Sequence, residues 1–107
     1  MARSKMLVFS NPTAGQEAEF NEWYDTVHLG EVLAVPGVVA GERYGRVPAQ
    51  LPGAGSAGQS YLAVYELDDD PDKVVQAFQE HAASGKVGLS PALDLASLVV
   101  TVWRARE

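Results

Sequence analysis

The 107-residue chain contains no cysteine and only two histidines. The first absence excludes disulfides, thiolate-ligated zinc and thiol catalysis. The second leaves little for a metal site, because His28 and His81 form no HxH, HxxxH or HExxH spacing. Positive charge is also scarce: eight Lys and Arg against fourteen Asp and Glu give a net charge of −6. The basic residues are scattered, so a phosphate backbone or an anionic membrane surface would find no cluster to bind. No apolar run approaches the length of a membrane span, and the apolar run in MARSKMLVFSNP is too short for a signal-peptide core. The expectation is a cytoplasmic protein with no nucleic-acid or membrane partner. Glycine is plentiful, yet GAGSAG builds no phosphate cradle: it falls between two strands, not between strand and helix, and lacks the GxSxG spacing of a nucleophile elbow.

What remains is ordinary globular material, 47% apolar and 21% charged, enough for one domain spanning residues 1–107. Lys5–Ser10 reads as a strand stopped by Asn11-Pro12. Thr13 offers a helix N-cap, with Gln16 completing a capping box. Apolar residues then recur at helical spacing (Phe20, Trp23, Tyr24, Val27) until Pro36-Gly37 ends the region. Val38–Arg46 is a second strand, Gly45–Gln59 a long Gly- and Pro-rich loop, and Ser60–Leu67 a third strand. Asp68-Asp69-Asp70-Pro71 starts a second helix, with Asp70 as N-cap and Pro71 at the first helical position. That helix runs to Ser84, with Gly85 beyond its end. Leu95–Arg104 is the fourth strand.

This order, βαββαβ, implies a ferredoxin-like α+β sandwich with a four-stranded antiparallel sheet and both helices on one face. The other face should then be polar, and it is not. Within each strand both sides are apolar: Leu7 and Phe9 oppose Met6 and Val8, Tyr61, Ala63 and Tyr65 oppose Leu62 and Val64, and Leu98, Val100 and Val102 oppose Val99 and Trp103. A second copy packed sheet to sheet is the simplest cover, so the expectation is a homodimer closing into an α+β barrel.

The densest chemistry lies in EFNEWYDTVHLGEVLAVPGV, residues 19–38. Advancing about 100° per residue from Phe20 puts Trp23, Tyr24 and Val27 in a buried stripe and His28 at its edge, about 80° away. Histidine titrates near neutrality, so His28 is the candidate general acid/base; its rival role is a histidine hydrogen-bonded at a helix end. Tyr24, one turn earlier, could donate to a substrate or orient the imidazole. Asp25 and Glu31 could each fix the imidazole tautomer. In an unbroken helix Glu31 would fall within the stripe, so either the helix breaks near Leu29-Gly30 or Glu31 faces a polar cavity. His81 falls on the apolar face of the second helix and could add a polar group. Trp103, Tyr61, Tyr65 and Tyr44 could line an aromatic wall, or serve simply as core or dimer interface. Glu42 and Arg43 read as a strand-edge pair.

The run FNEWYDTVHLGEVLAVPGVVAGERY resembles the dimeric α+β barrel superfamily, and within it the small EthD-like proteins (relatives of ethyl tert-butyl ether degradation protein D). Trp23, Tyr24, Asp25, His28, Leu29, Glu31, Pro36, Gly37 and Val38 match the pattern; Gly30 stands where Pro is usual. The resemblance implies a ligand site between the sheet and the helices of each protomer. It covers cofactor-free monooxygenases, polyketide cyclases, isomerases and haem-handling enzymes, so it does not choose a reaction.

The leading reading is a small-molecule enzyme that needs no cofactor or metal. It would perform cyclase-, isomerase- or lyase-type proton transfer on an apolar or aromatic, polyketide-like substrate. His28 and Tyr24 are the catalytic candidates; Trp23, Glu31, Tyr65, His81 and Trp103 are the substrate-binding candidates. The 45–59 loop would gate the site. The alternatives are a cofactor-independent monooxygenase of the same superfamily and a non-catalytic ligand-binding or accessory dimer.

Overall fold

Four strands form one antiparallel sheet in the order β2-β3-β1-β4, where β1 is Ser4–Pro12, β2 Val38–Gly45, β3 Tyr61–Leu67 and β4 Leu93–Arg104. A computed structural model describes residues 4–49, 51–55, 57–68 and 70–106. Ser56 of GAGSAG and the middle carboxylate of the Asp68-Asp69-Asp70 run lie outside the described residues.

The expected sheet and alternation hold, but several boundaries move. β1 does not stop at Ser10. Its register with β4 shifts between Phe9 and Asn11, where the extra residues lie on β4, and it continues to pair Asn11 with Asp94 and Pro12 with Leu93. β3 no longer flanks it there, so Pro12 stands where a missing N–H breaks no ladder. At the shift the Asn11 amide donates to the hydroxyl of Ser97, one of the extra β4 residues, at 2.8 Å. Thr13 is not a helix cap: its hydroxyl donates to the Pro91 carbonyl at 2.8 Å and its amide to the Ala92 carbonyl at 2.6 Å. The first helix begins four residues later, without a side-chain cap.

That helix has three parts: α1 (Glu17–Trp23), a π-helical turn (Tyr24–His28) and α2 (Leu29–Leu33). It does not break at Gly30. The π-turn takes in an extra residue, which sets back everything after it by about 100° relative to a plain α-helix. His28 therefore swings from the edge of the stripe into it and is buried. Val27, expected inside, is 47% exposed, while Val32 and Val35 are buried. Glu31 moves off the stripe's centre to a half-exposed position.

The second helical segment, α3 (Pro71–Ala83), matches its sequence signals. The Asp70 carboxylate accepts from the Asp72 amide at 2.9 Å, Pro71 opens the helix, and Gly85 follows its end with φ +81°. Among the described residues no helix is long and apolar enough to cross a membrane.

The core lies between helices and sheet. Phe20, Tyr24 and Val32 pack with Val74 over Met6, Ala63 and Tyr65. Gly41 on β2 sits opposite Tyr65; a Cβ there would lie 2.7 Å from the Tyr65 ring, so only glycine lets this tyrosine lie flat across the strand. On the other sheet face Leu7, Phe9, Leu62 and Val64 are only half-buried, and Val99 and Trp103 are exposed.

Candidate functional site

A cavity of about 310 Å³ opens between α3, the sheet and the first helix. Met6 and Val8 form its floor, Leu98 and Val100 of β4 one wall, and Val75 and Phe78 of α3 the roof. Val87 and Leu89, which follow α3, complete the lining, Val87 buried and Leu89 exposed. Deep polarity comes from three side chains, His28, Tyr24 and Tyr65; Gln79 adds an exposed amide at the rim. The size falls at the lower end of ligand cavities, about 300–1,000 Å³.

The π-turn delivers His28. Its ring stacks on Trp23 at 4.4 Å and meets Tyr24 edge-on at 4.9 Å. Nδ1 lies 3.3 Å from a Glu31 carboxylate oxygen, which also accepts the Gly88 amide at 3.3 Å. The carboxylate selects the tautomer with the proton on Nδ1 and leaves the basic lone pair on Nε2. Burial pushes the His28 pKa below its ordinary value; the Glu31 carboxylate and the Gly88 backbone oppose that shift. The resting imidazole is thus neutral at pH 7 and has a counter-ion in place when it takes a proton.

Tyr24 and Tyr65 meet hydroxyl to hydroxyl at 3.3 Å. Burial raises both phenol pKa values, so both stay protonated. The Arg43 guanidinium lies 4.3 Å over the Tyr24 ring and opposes the rise. The same guanidinium is held by Asp25 at 2.8 Å and Asn21 at 3.0 Å.

The cavity gathers His28, Tyr24 and Tyr65 from the sequence candidates and places Glu31 directly behind the imidazole. The others lie elsewhere. Trp23 lines no cavity wall but backs the imidazole. Trp103 is 59% exposed on the opposite sheet face, its indole N–H donating to Thr101 at 2.7 Å. His81 is half-buried outside the cavity; its carbonyl receives the Lys86 and Val87 amides after α3, and its Nδ1 is buried without a hydrogen-bond partner among the described residues. Tyr61 packs on Phe20 at 5.3 Å and bonds Asn21 and Glu17. Tyr44 is exposed on the far face. No described residue of the 45–59 loop lines the cavity; the Val87–Leu89 segment flanks it instead.

Two sequence assignments fail for one reason. Asp25 does not orient the imidazole, because it pairs with Arg43. Glu42 does not pair with Arg43, because adjacent strand residues face opposite ways: Arg43 points under the helix and Glu42 meets Tyr44 on the open face. That alternation was a signal available in the sequence, and it would have sent Arg43 towards the aromatic cluster.

No family model matches the chain, and no curated protein does either. Solved structures do. An EthD-like protein from Ralstonia eutropha JMP134 superposes with a TM-score of 0.62 at 18% identity, covering 96% of this chain and 91% of that one. A dimeric ferredoxin-like protein of unknown function from Thermobifida fusca YX gives 0.62 at 16% identity, covering 97% and 92%. An ethyl tert-butyl ether degradation (EthD) family protein from Bacillus halodurans C-125 gives 0.56 at 15% identity, covering 99% and 100%. Over essentially its whole length, the chain has the ferredoxin-like α+β fold of the EthD-like dimeric α+β barrels.

Proposed function

We propose that the protein is a small-molecule enzyme that moves a proton on an uncharged, apolar ligand held in the cavity, with His28 as acid/base. One observation carries this reading: a buried imidazole, backed through Nδ1 by a carboxylate, on the wall of an otherwise apolar cavity. A neutral Nε2 is ready to accept a proton, and Glu31 stabilises the imidazolium that forms. Trp23 and Tyr24 fix the ring plane by stacking and edge contact. The apolar walls exclude water, which strengthens the electrostatics of the step. Cyclisation, isomerisation and dehydration of polyketide-like or other aromatic substrates all need this equipment. The apolar open sheet face supports assembly as a homodimer through that face.

NMR titration of the two imidazoles tests the acid/base role. An acid/base His28 titrates reversibly, displaced downward from an ordinary histidine by its burial, and keeps its Nδ1 proton. A ring that stays neutral below about pH 5 gives the non-catalytic reading, with His28 as a packing residue.

A further inference from the structure

The two buried phenols are one acceptor short. When two hydroxyls bond each other, one donates and the other accepts, so one phenolic proton remains. Among the described residues neither Tyr24 nor Tyr65 has another hydrogen-bond partner. An unpaired O–H inside an apolar cavity is unfavourable, and a ligand acceptor would relieve it. The position of Arg43 decides which phenol faces a ligand acceptor. A guanidinium over the Tyr24 ring draws electron density from that phenol, which makes Tyr24 the stronger donor; a carbonyl is a better acceptor than a phenol oxygen, so with a ligand in place Tyr24 donates to the carbonyl and accepts from Tyr65. The chain then runs Tyr65 to Tyr24 to ligand, each bond polarising the next. Tyr24 is also the phenol whose ring touches the imidazole. Among the described residues no Lys or Arg lines the cavity, so the acceptor belongs to an uncharged ligand.

We propose that the Tyr65–Tyr24 pair binds the carbonyl oxygen of a neutral, enolisable ketone of one or two rings, beside the base that removes its α-proton. The proposal rests on the acid/base reading of His28 and adds the substrate class to it. Nε2 takes a proton from the carbon next to the carbonyl. The C–H electron pair becomes the C=C bond of the enolate, and the negative charge moves to the oxygen held by Tyr24. Return of the proton to the same or another carbon, or to the oxygen, restores the neutral imidazole. No oxidant or second reactant is consumed.

The matched probes are 1-tetralone and tetralin, of one shape with and without the oxygen. The wild type should bind the ketone about tenfold more tightly than the hydrocarbon, as one buried hydrogen bond provides, and should lower the carbonyl stretching frequency of the bound ketone. Tyr24→Phe should remove both effects and leave tetralin binding unchanged. Tyr65→Phe should reduce both, and it carries the test if Tyr24→Phe does not fold. His28→Gln should keep the preference and the shift while abolishing deuterium exchange at the ketone α-carbon. Exchange that survives His28→Gln defeats the base role without touching the tyrosine pair. Equal binding of the two probes, binding of neither, or a preference that survives Tyr24→Phe overturns the proposal.

Discussion

His28 shows how little of a residue's chemistry its type decides. Free histidine would be partly charged near neutrality; this one is held neutral by burial, with Glu31 and the Gly88 backbone limiting the shift. Its folded pKa is depressed, so below about 6.5 the unfolded chain binds the proton that the folded chain refuses. Stability from this source is fully present above about pH 6.5 and falls as the pH drops through the lowered folded value. Urea midpoints measured across that window should decline in the wild type, and the decline should be shallower in His28→Gln, which cannot titrate. Identical profiles would mean that His28 is not buried neutral. The candidate itself was legible in the sequence, since only two histidines compete and one lies beside Tyr24. Its partner was only half legible: Asp25 and Glu31 each lie three residues from His28, and strand β2 decides between them by sending Arg43 to Asp25.

At the level of elements, the strands and α3 could be read because each has a local cause: apolar alternation, an aspartate cap before proline, a glycine past the end. The first helix could not be read in full. A π-turn has no residue signature comparable to Asp-Pro or Pro-Gly, and a plain wheel misplaces every side chain after it. Its extra residue has a testable consequence. Removing the exposed Thr26 should turn the π-turn into α-helix and leave His28, Val32 and Val35 facing inward. Removing Gly30 instead should rotate Glu31, Val32 and Val35 away by about 100° and expose two core valines, a loss of at least about 3 kcal/mol. Equilibrium unfolding of the two deletions gives the comparison. Equal losses would contradict the inserted-residue account.

For the whole molecule, the deciding feature was a face too apolar for its surroundings. Both faces of the sheet carry Leu, Val and aromatic side chains, and helices cover only one. The four-stranded antiparallel sheet and the layering could be inferred from the sequence. The cavity's depth and mouth could not, because they depend on how far α3 stands off β4 and on the path of the chain from Val87 to Leu89. If a second copy covers the open face, a charge in its middle should prevent association. Val64→Lys should sediment as a monomer at micromolar concentration where the wild type sediments as a dimer. A wild-type monomer under those conditions would remove the dimer from the account.

The stacking of Trp23 on His28 makes the site report on itself. An indole 4.4 Å from an imidazole senses whether that ring carries a charge, since protonation places a cation against its π-face. The chain has only one other tryptophan, and Trp103 lies on the opposite side of the sheet. In a Trp103→Phe background the remaining emission should change with pH along the titration curve of His28, and should shift again when a ligand displaces water from the cavity. The protein would thus be its own optical indicator for both proton and ligand, with no label attached, and a collection of candidate substrates could be screened by intrinsic fluorescence before any reaction is known.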